Sequence, residues 1–285
     1  MPTAAIISKP NKPELQEVLC GVINWLQEHG YDVVLDPDSA SYVSGCRQAP
    51  REHLHGERPE FAVVLGGDGT LLAAARAFAS ARVPLLAVNL GSLGFLTEVS
   101  LPELYVHLRS ITEHCCIIDE RAMLHCRLIR NDKVEFDHDA LNDVVMKATA
   151  ARLADFKLSI NGQRVTEYKS DALIVATPTG STAYSLAAGG PILVPSVKVL
   201  LITPVSPHAL THRPLVVEES SKISVVVAVG PEEGYLSIDG QVSIPIKTGD
   251  RVECELAEYR VRLMRERDGS KFFDVLRTKL HWGER

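Results

Sequence analysis

A carboxylate stands inside a glycine-rich turn early in the chain. The segment Gly66–Thr70 reads GGDGT and directly follows Phe61–Leu65, an apolar run with the composition of a buried strand. Glycine-rich turns at helix starts bind phosphates, because glycine reaches positive φ and lets backbone N–H groups approach the ligand. Asp68 would repel a phosphate, so we expect it either to hold a metal ion or to accept a proton. Both roles point to phosphoryl transfer, with the phosphate cradled by Gly66, Gly67 and Thr70.

The same turn also fits a structural interpretation, in which Asp68 or Thr70 caps the helix that follows. Its letters match neither G-x-G-x-x-G nor G-x-x-x-x-G-K-[ST], so this turn is neither the dinucleotide fingerprint nor a Walker loop. The turn alone therefore indicates a ligand site at the carboxyl end of a parallel strand, without saying which ligand binds there.

Two later segments carry polar groups beside apolar strands. In Ser170–Pro191 a buried strand runs into a loop of small hydroxyls and glycine and then into a helix, and such donors suit a phosphate or a ribose. Asn142 and Asp143 stand beside an apolar strand, where an amide and a carboxylate suit ribose hydroxyls or an amide ligand. Hydroxyl caps in the first segment and a polar strand end in the second are the structural alternatives.

Other polar clusters fit structural roles better. Asp137, His138 and Asp139 follow the alternation of a solvated strand rather than the pattern of a metal site. His208 and His212 are four residues apart, but flanking prolines argue against the helix that would bring both to one zinc ion. We interpret these two histidines as hydrogen-bonded loop residues.

The composition is that of an ordinary globular protein. The chain has 285 residues, typical of about two domains, and its net charge of −6 argues against general binding to nucleic acids or anionic membranes. Its six cysteines show no zinc-binding spacing, so we expect reduced thiols in a cytoplasmic protein. We see no signal-peptide pattern, and no apolar run approaches the length of a membrane span.

The first part of the chain alternates short apolar strands with helices, which predicts an α/β domain whose parallel sheet is covered on both faces. We expect strands at Ala4–Ile7, Tyr31–Leu35, Phe61–Leu65 and Val83–Val88, and helices at Leu15–Leu26, Leu71–Ala79 and from a capping box at Ser100 to about Glu113. Residues 37–59 are polar and rich in turn formers, so we expect a long loop there.

After about Asp119 apolar and polar residues alternate, which predicts a mostly β, sandwich-like second domain. Asn161–Gly162 marks a tight hairpin, and one helix is expected to start near Thr182. Further strands are expected near Leu124–Leu128, Phe156–Ile160, Ala172–Ala176, Val199–Ile202, Ile223–Val229, Tyr235–Ile238, Arg251–Leu256 and Arg260–Met264. We place the domains at residues 1–119 and 120–267, with a tail, 268–285, whose helix returns to the N-terminal domain.

Taken together, the motifs resemble those of the NAD kinase family, whose members make NADP from NAD and ATP. The matching segments, in the family's order, are GGDGT at 66–70, NLGSLGFLT at 89–97, LND at 141–143, TPTGSTAYSLAAGGP at 177–191, PVSPHALTHRPLV at 204–216 and DGQ at 239–241. The resemblance covers most of the chain and is weakest over residues 37–59. It implies an α/β domain followed by a β-sandwich, assembly as a homodimer or homotetramer, and ATP with a divalent metal, usually Mg²⁺, as the phosphoryl donor.

The resemblance also implies roles for individual residues, although it assigns no metal ligands. Asp68 would act as the base toward the 2′-hydroxyl of the adenosine ribose of NAD, and Gly69 would lie with it against the dinucleotide. Arg152, Lys169 and Asp171 would line the NAD site partly across subunits. The other residues of the implied NAD site are Asn142, Asp143, Thr182, Ala183, Tyr184, Ser185, Leu186, Ala187, Ser206 and Gln241.

Three positions depart from commoner forms of the family pattern. Lys169, Ala172 and Ala187 stand where arginine, glycine and serine, respectively, are frequent or usual. Lys169 keeps the charge of an arginine but not its bidentate fork, so we expect these changes to affect affinity rather than the reaction.

Two other functions share parts of the pattern, namely a lipid or sphingoid-base kinase and a non-catalytic NAD(P) sensor. The small hydroxyls of Ser170–Pro191 fit a nucleoside better than a lipid, and a pure binder has no need for Asp68.

Overall fold

The computed structural model describes residues 1–91, 94–148, 153–229, 234–265 and 272–282. The chain divides into two compact units, Met1–Glu120 with Arg260–Arg285, and Arg121–Tyr259. The first unit is an α/β structure and the second is almost entirely β, as the alternation of the sequence predicts. The domain boundaries that we placed after residues 119 and 267 remain predictions.

The chain forms many short strands and few helices. In chain order the strands are β1 Thr3–Ser8, β2 Asp32–Leu35, β3 Arg47–Gln48, β4 Phe61–Gly66, β5 Leu85–Asn89, β6 Val99–Ser100, β7 Ile117–Arg121, β8 Leu124–Arg130, β9 Lys133–Ala140, β10 Asp143–Ala148, β11 Ala154–Ile160, β12 Gln163–Ser170, β13 Ala172–Ala176, β14 Val199–Val205, β15 Leu215–Glu218, β16 Ile223–Val229, β17 Gly234–Ile238, β18 Val242–Ile246, β19 Arg251–Leu256 and β20 Val261–Arg265. The α-helices are α1 Leu15–Glu28, α2 Pro37–Ala40, α3 Asp68–Phe78, α4 Leu104–Thr112, α5 Tyr184–Ala187 and α6 Phe272–Leu280, and 3₁₀ helices lie at Arg51–Glu57, Leu101–Glu103 and Thr179–Thr182.

The sheet of the first unit has eight strands in the order β3-β2-β1-β4-β5-β20-β7, with β6 pairing beside β5. The pairs β1–β2, β1–β4 and β4–β5 are parallel, and their side chains are buried on both faces. Continuous apolar strands such as Phe61–Gly66 form because helices cover both sides of such a sheet. The carboxyl ends of β4 and β5 therefore meet at one edge, where Gly66 pairs with Asn89.

The last strand, β20, corrects one of our predictions. We expected Arg260–Met264 to be a strand of the β-rich second domain, but β20 pairs in parallel with β5, with Leu263 opposite Leu85, in the sheet of the first unit. The alternating apolar residues predict a strand correctly, but they do not encode which sheet the strand joins. The tail helix α6 is confirmed, and it buries Val275 and Leu276.

The expected long loop at residues 37–59 is also corrected, because it contains α2, β3 and a 3₁₀ helix. The buried carboxylate of Asp36 caps α2 by accepting a hydrogen bond from the Ser39 N–H at 2.9 Å, and it also pairs with Arg51. Short polar segments of this kind are ordered by specific hydrogen bonds rather than by an apolar period, so the hydrophobic pattern does not reveal them.

The second unit is a sandwich of two six-stranded sheets, ordered β15-β14-β13-β10-β17-β18 and β12-β11-β16-β19-β8-β9. Apolar side chains from the facing surfaces of both sheets form one core, which includes Val144, Val175 and Phe156. The Asn161–Gly162 hairpin is confirmed: both residues have positive φ, 51° and 78°, and Ile160 pairs with Gln163. Among the described residues, no helix is long and apolar enough to cross a membrane.

The sandwich core yields a stability prediction. Val225 is fully buried between the sheets, whereas Val134 on β9 is 55% exposed. We expect Val225→Ala to lower the free energy of unfolding by about 2 kcal/mol, because it removes buried apolar surface and leaves a cavity. Val134→Ala is the matched control and should change it by less than about 0.5 kcal/mol. Urea denaturation of the full chain measures both, and equal effects would contradict the described core.

Candidate functional site

Asp68 is the first residue of α3, and one residue, Gly67, separates it from β4. The helix therefore begins three residues before the Leu71 that we expected, and the turn between strand and helix is very short. A carboxylate at this position lies near the positive end of the helix dipole. Both our capping interpretation and our ligand interpretation allow this location, so the side-chain contacts decide between them.

The Asp68 carboxylate does not cap α3, because it turns toward residues 95–97. The backbone N–H of Phe95 donates to Oδ2 at 2.9 Å. The N–H groups of Leu96 and Thr97 donate to Oδ1, each at 3.1 Å, and the Thr97 hydroxyl lies 3.0 Å from the same oxygen. The GGDGT and NLGSLGFLT motifs thus form one hydrogen-bonded cluster, of which Ser92 and Leu93 lie outside the described residues.

Glycines permit this cluster by close approach. A Cβ atom on Gly94 would overlap with Asp68 Oδ1 and with the Thr97 hydroxyl, and one on Gly66 would overlap with Thr70. None of the three glycines of the turn, Gly66, Gly67 and Gly69, has positive φ, and the φ of Gly67 is −103°. The glycines of this turn therefore do not serve positive φ, and the close contact with the Thr70 side chain requires the glycine at position 66 instead.

A buried arginine supports the same loop from the other end of the sequence. Arg265 on β20 is 6% exposed and donates to the Leu96 carbonyl oxygen at 3.2 Å. It also pairs with the buried Glu98 at 3.2 Å and lies 3.6 Å from the Asp119 carboxylate. Sequence reasoning missed Arg265 and Glu98, since nothing in their local pattern separates them from surface charges.

The second unit has a cavity of about 880 Å³ on the outer face of the sheet that contains β10, β17 and β18. The strands β10, β17 and β18 form its floor, because their alternate residues point away from the sandwich core. Asn142, Asp143 and Asp239 lie at one part of its lining, and Lys147 and Lys247 contribute cations. Such a mixed polar and apolar lining suits a small charged organic ligand.

Two buried aspartates lie together in this cavity. Asp239 accepts hydrogen bonds from the backbone N–H groups of Leu141, Asn142 and Asp143 at 3.1, 2.7 and 3.2 Å. Burial, together with the charge of Asp239, raises the pKa of Asp143 from 3.8 to about 7, against the opposing hydrogen bond from the Tyr184 backbone N–H. The cavity therefore contains a carboxyl group that changes charge near neutral pH.

The segment with small hydroxyls packs directly on the LND segment. The Thr177 hydroxyl donates to the Leu141 carbonyl oxygen at 2.6 Å, and the Thr177 N–H donates to that of Asn142 at 2.9 Å. A Cβ atom on Gly180 would overlap with the Asn142 backbone. Thr177 and Gly180 therefore hold Asn142 and its neighbours in position at the cavity.

The residues predicted for the NAD site separate into groups. Asn142, Asp143, Ala183 and Tyr184 line the cavity. The Ser185 hydroxyl is buried and bonds Thr203 Oγ1 at 2.8 Å. The Thr182 hydroxyl donates to the Thr179 carbonyl oxygen. Of the remaining predicted residues in this unit's NAD site, Leu186 is half-buried, and Ala187 and Gln241 are exposed.

A second group lies at the other end of β13. Lys169, Asp171 and Ser206 are exposed around the start of this strand, where Ala172 pairs with Val205, whereas Asp143 pairs with Ala176 at its end. Arg152 lies outside the described residues. Asp68 and its loop belong to the first unit, and Asn142 and Asp143 belong to the second.

Asp239 is a cavity-lining residue of the second unit that sequence reasoning undervalued. The Asp239–Gly240 pair was interpreted as a hairpin turn, and it does join β17 to β18, with Asp239 at a φ of 50°. Its carboxylate additionally holds three backbone N–H groups and faces Asp143. The position of the pair within the DGQ match was the available signal.

The histidines and acidic residues that we set aside lie on the predicted types of element. Asp137, His138 and Asp139 are on the strand β9, and His208 and His212 are in a non-helical loop. The expected side-chain hydrogen bond is not found at the buried Nδ1 of His212, which has no hydrogen-bond partner within the described part of the chain. Among the described residues, no cluster of three or more histidine, cysteine, aspartate or glutamate side chains is suited to a metal ion.

The carboxyl end of a central strand in a parallel sheet and a cavity with a partly polar lining are both places where proteins bind small polar ligands. Family models assign the chain more specifically. Residues 4–115 match the ATP-NAD kinase N-terminal domain and residues 141–266 match the ATP-NAD kinase C-terminal domain. The chain belongs to the NAD kinase family.

Individual relatives agree with this assignment. The chain is 54% identical over 286 residues to an NAD kinase of Koribacter versatilis and 44% identical to one of Geobacter sulfurreducens, with all of both chains covered in each case. Among solved structures it is similar to the yeast NADH kinase complexed with NADH, with a TM-score of 0.89 and 27% identity over 100% of this chain and 89% of that one. It is also similar to an NAD kinase from Archaeoglobus fulgidus in complex with ATP, with a TM-score of 0.77 and 26% identity over 98% of each chain.

The crowding around Gly94 generates one prediction. We expect Gly94→Ala to lower the free energy of unfolding by about 1–3 kcal/mol, because the added methyl group must displace Asp68 or Thr97. Gly56→Ala is the matched control, since a Cβ atom there meets open space. Urea denaturation of the two variants compares them, and a Gly94→Ala variant as stable as the control would contradict the close contact.

The buried Asp143 generates a second prediction, on pH dependence. Its pKa is higher in the folded protein than in the unfolded chain, so the folded form binds more protons between pH 3.8 and about 7. Its contribution to stability is therefore largest at low pH and is lost as the pH rises through that window. Asp143→Asn cannot ionise, so we expect its free energy of unfolding to fall less than that of the wild type between about pH 5 and about pH 8.

The exposed Asp132 supplies the control for this measurement, because its side chain stays in water. Asp132→Asn should keep the wild-type pH dependence in chemical denaturation. If Asp143→Asn also kept the wild-type pH dependence, the buried carboxyl group of Asp143 would not be the cause of the loss of stability at higher pH.

Proposed function

We propose that this chain transfers the γ-phosphoryl group of ATP to the 2′-hydroxyl of the adenosine ribose of NAD, producing NADP, with Asp68 as the general base. Membership of the NAD kinase family supports the reaction. The proposal for Asp68 rests on one observation: its carboxylate is fixed by hydrogen bonds from Phe95, Leu96 and Thr97 at the start of α3. A side chain held in this way is ready to accept a proton without reorganising.

The chemistry is compatible with a carboxylate base. A carboxylate is a weak base against a sugar hydroxyl, but in a loose phosphoryl-transfer transition state the proton leaves late. A positioned base then contributes about 10²–10⁴-fold to the rate. Most of the remaining acceleration comes from alignment of the two substrates and from stabilisation of the phosphoryl charge. The proposed phosphate cradle is formed by Gly66, Gly67 and Thr70, with Gly69 against the dinucleotide.

The second unit supplies the proposed binding site for NAD. Asn142 and Asp143 offer an amide and a carboxyl group to ribose and nicotinamide groups, and both line the cavity with Ala183 and Tyr184. The remaining members of the proposed site are Arg152, Lys169, Asp171, Thr182, Ser185, Leu186, Ala187, Ser206 and Gln241. Because the Ser185 hydroxyl bonds Thr203, we expect Ser185 to act through its backbone and through the placement of Tyr184.

The proposed metal is Mg²⁺ that arrives with ATP. Mg²⁺ is usually bound through one or two carboxylates, substrate phosphates and waters rather than by a protein cage. The donor set fits this mode, since within the described ranges no cluster of three metal-binding side chains occurs. The site of the first unit has the carboxylate of Asp68, and the cavity of the second unit has those of Asp143 and Asp239. When bound, the ion would neutralise charge on the transferred phosphoryl group. The chain's own residues orient the acceptor hydroxyl and receive its proton.

We further propose a cytoplasmic homodimer or homotetramer. The exposed side chains of Lys169, Asp171 and Ser206 lie near Ala172 at the start of β13. Ala172 is about 13 Å along the strand from Ala176, which pairs with Asp143, judged from the rise of a strand. This separation is compatible with their use in the NAD site of a neighbouring subunit. Light scattering measures the assembly, and a monomer that is fully active would exclude a shared site.

The test of the proposed base is Asp68→Asn. We expect the variant to fold and to bind NAD, while the rate of NADP formation from NAD, ATP and Mg²⁺ falls at least about 10²-fold, because an amide cannot accept the proton. Asp274→Asn, on the exposed face of α6, is the matched control and should keep the wild-type rate. Near-normal turnover by Asp68→Asn would refute the role of Asp68, and absence of NADP formation by the wild type would refute the reaction.

A further inference from the structure

The two oxygens of the Asp68 carboxylate have different surroundings. Oδ1 has three donors, namely the N–H groups of Leu96 and Thr97 and the Thr97 hydroxyl. Oδ2 has a hydrogen bond from the Phe95 N–H at 2.9 Å. A carboxylate oxygen offers about two lone-pair sites, so Oδ1 is saturated while Oδ2 keeps a site for a further donor.

The hydroxyl of Thr97 is oriented by a second side chain. Asn89 ends β5, and its side-chain Nδ2 donates to Thr97 Oγ1 at 3.0 Å. The identity of this nitrogen follows from the other end of the amide, because Asn89 Oδ1 accepts the backbone N–H of Gly91 at 2.8 Å. An amide nitrogen only donates, so the proton of the Thr97 hydroxyl must point elsewhere, and Asp68 Oδ1 is the acceptor 3.0 Å away.

This chain of hydrogen bonds is shielded from water. Thr97 is fully buried and Asn89 is 7% exposed, whereas Asp68 is only half-buried. Asn89 reaches the site because β4 and β5 are parallel neighbours whose carboxyl ends meet at one edge of the sheet. Hydrogen bonds to a charged group in a dry environment are stronger than those in water, so this arrangement restrains the rotation of the carboxylate.

We propose that Thr97, oriented by Asn89, is a positioning residue for the phosphoryl-transfer reaction. The Thr97 hydroxyl is a third donor to Oδ1 beside the two backbone N–H groups, so it restrains the rotation of the carboxylate. It thereby holds in one direction the open lone pair of Oδ2, the oxygen that accepts the proton of the substrate hydroxyl. This inference rests on the proposed role of Asp68 as the base. Because Thr97 is fully buried and Asn89 is 7% exposed, both residues would act through Asp68.

The test compares two variants at position 97. Thr97→Val keeps the shape of the side chain but removes the hydroxyl, and Thr97→Ser keeps the hydroxyl. With the purified full chain, NAD, ATP and Mg²⁺, we expect Thr97→Val to lower kcat about 10- to 100-fold, the effect of one hydrogen bond to a charged group. The KM for NAD should change less than about threefold, because binding does not use this hydroxyl. Thr97→Ser should restore kcat to within about threefold of the wild type.

Asn89→Asp tests the direction of the relay with little change in shape. It places an acceptor where the amide donor lies, so the Thr97 hydroxyl proton turns away from Asp68 and kcat should fall, while Gly91 keeps its acceptor. Thr278→Val is the control, since its hydroxyl bonds the Asp274 carbonyl oxygen on the exposed face of α6. It should keep the wild-type kcat. Thermal melting reports whether each variant folds.

Two results would overturn the proposal. One is a folded Thr97→Val with a wild-type kcat, and the other is a Thr97→Ser that is as impaired as Thr97→Val, which would make the role one of packing. If Thr97→Val does not fold, Asn89→Asp decides alone, and a folded Asn89→Asp with a wild-type kcat refutes the relay. Asp68→Asn, measured in parallel, separates the hypotheses: an inactive Asp68→Asn with an active Thr97→Val refutes only the positioning role, whereas an active Asp68→Asn refutes the base itself.

Discussion

The hydrogen bonds between Asp68 and residues 95–97 are the interaction on which the candidate site of the first unit depends. Withdrawing a carboxylate partly from water costs several kcal/mol of free energy unless hydrogen-bond donors of the protein replace the lost water. Here the donors come from one loop, and that loop must approach so closely that only glycine fits at position 94. Asn89 and Arg265 then hold the loop from two different strands. The β4–α3 turn and the loop that follows β5 therefore form a single hydrogen-bonded site.

In the second unit, Asp239 accepts hydrogen bonds from backbone N–H groups in the same way as Asp68 does in the first. Asp239 gathers the backbone N–H groups of residues 141–143, which places Asn142 at the cavity and brings Asp143 close to a second carboxylate. Burial, together with the charge of this neighbouring carboxylate, raises the pKa of Asp143. In both units a carboxylate organises backbone amides, and irregular segments at strand ends are held by these polar contacts rather than by apolar packing. Such segments present their remaining polar groups to a ligand.

Much of the fold follows from local patterns, because hydrophobic periodicity reflects which face of an element is buried. The parallel sheet, the sandwich, the Asn161–Gly162 hairpin and the tail helix were all predictable in this way. The pattern failed where pairing partners or polar contacts decide. Examples are β20, which joins the first sheet, and the short elements of residues 37–59, which are ordered around Asp36. The spacing of apolar residues carries no information about which strands pair or which polar groups form hydrogen bonds.

The sequence by itself determined the type of most elements outside residues 37–59, the motifs that name the family and the identity of Asp68 as the central carboxylate. Those properties are local, since each depends on residues within a few positions of one another. Only the tertiary structure decided that the NLGSLGFLT loop, rather than solvent or a helix N-terminus, binds Asp68, and that Arg265 supports it from near the other end of the chain. It also decided that the glycine at position 66 serves close packing instead of positive φ. These contacts join residues that are distant in sequence, and hydrogen-bond geometry between them exists only after the strands have paired.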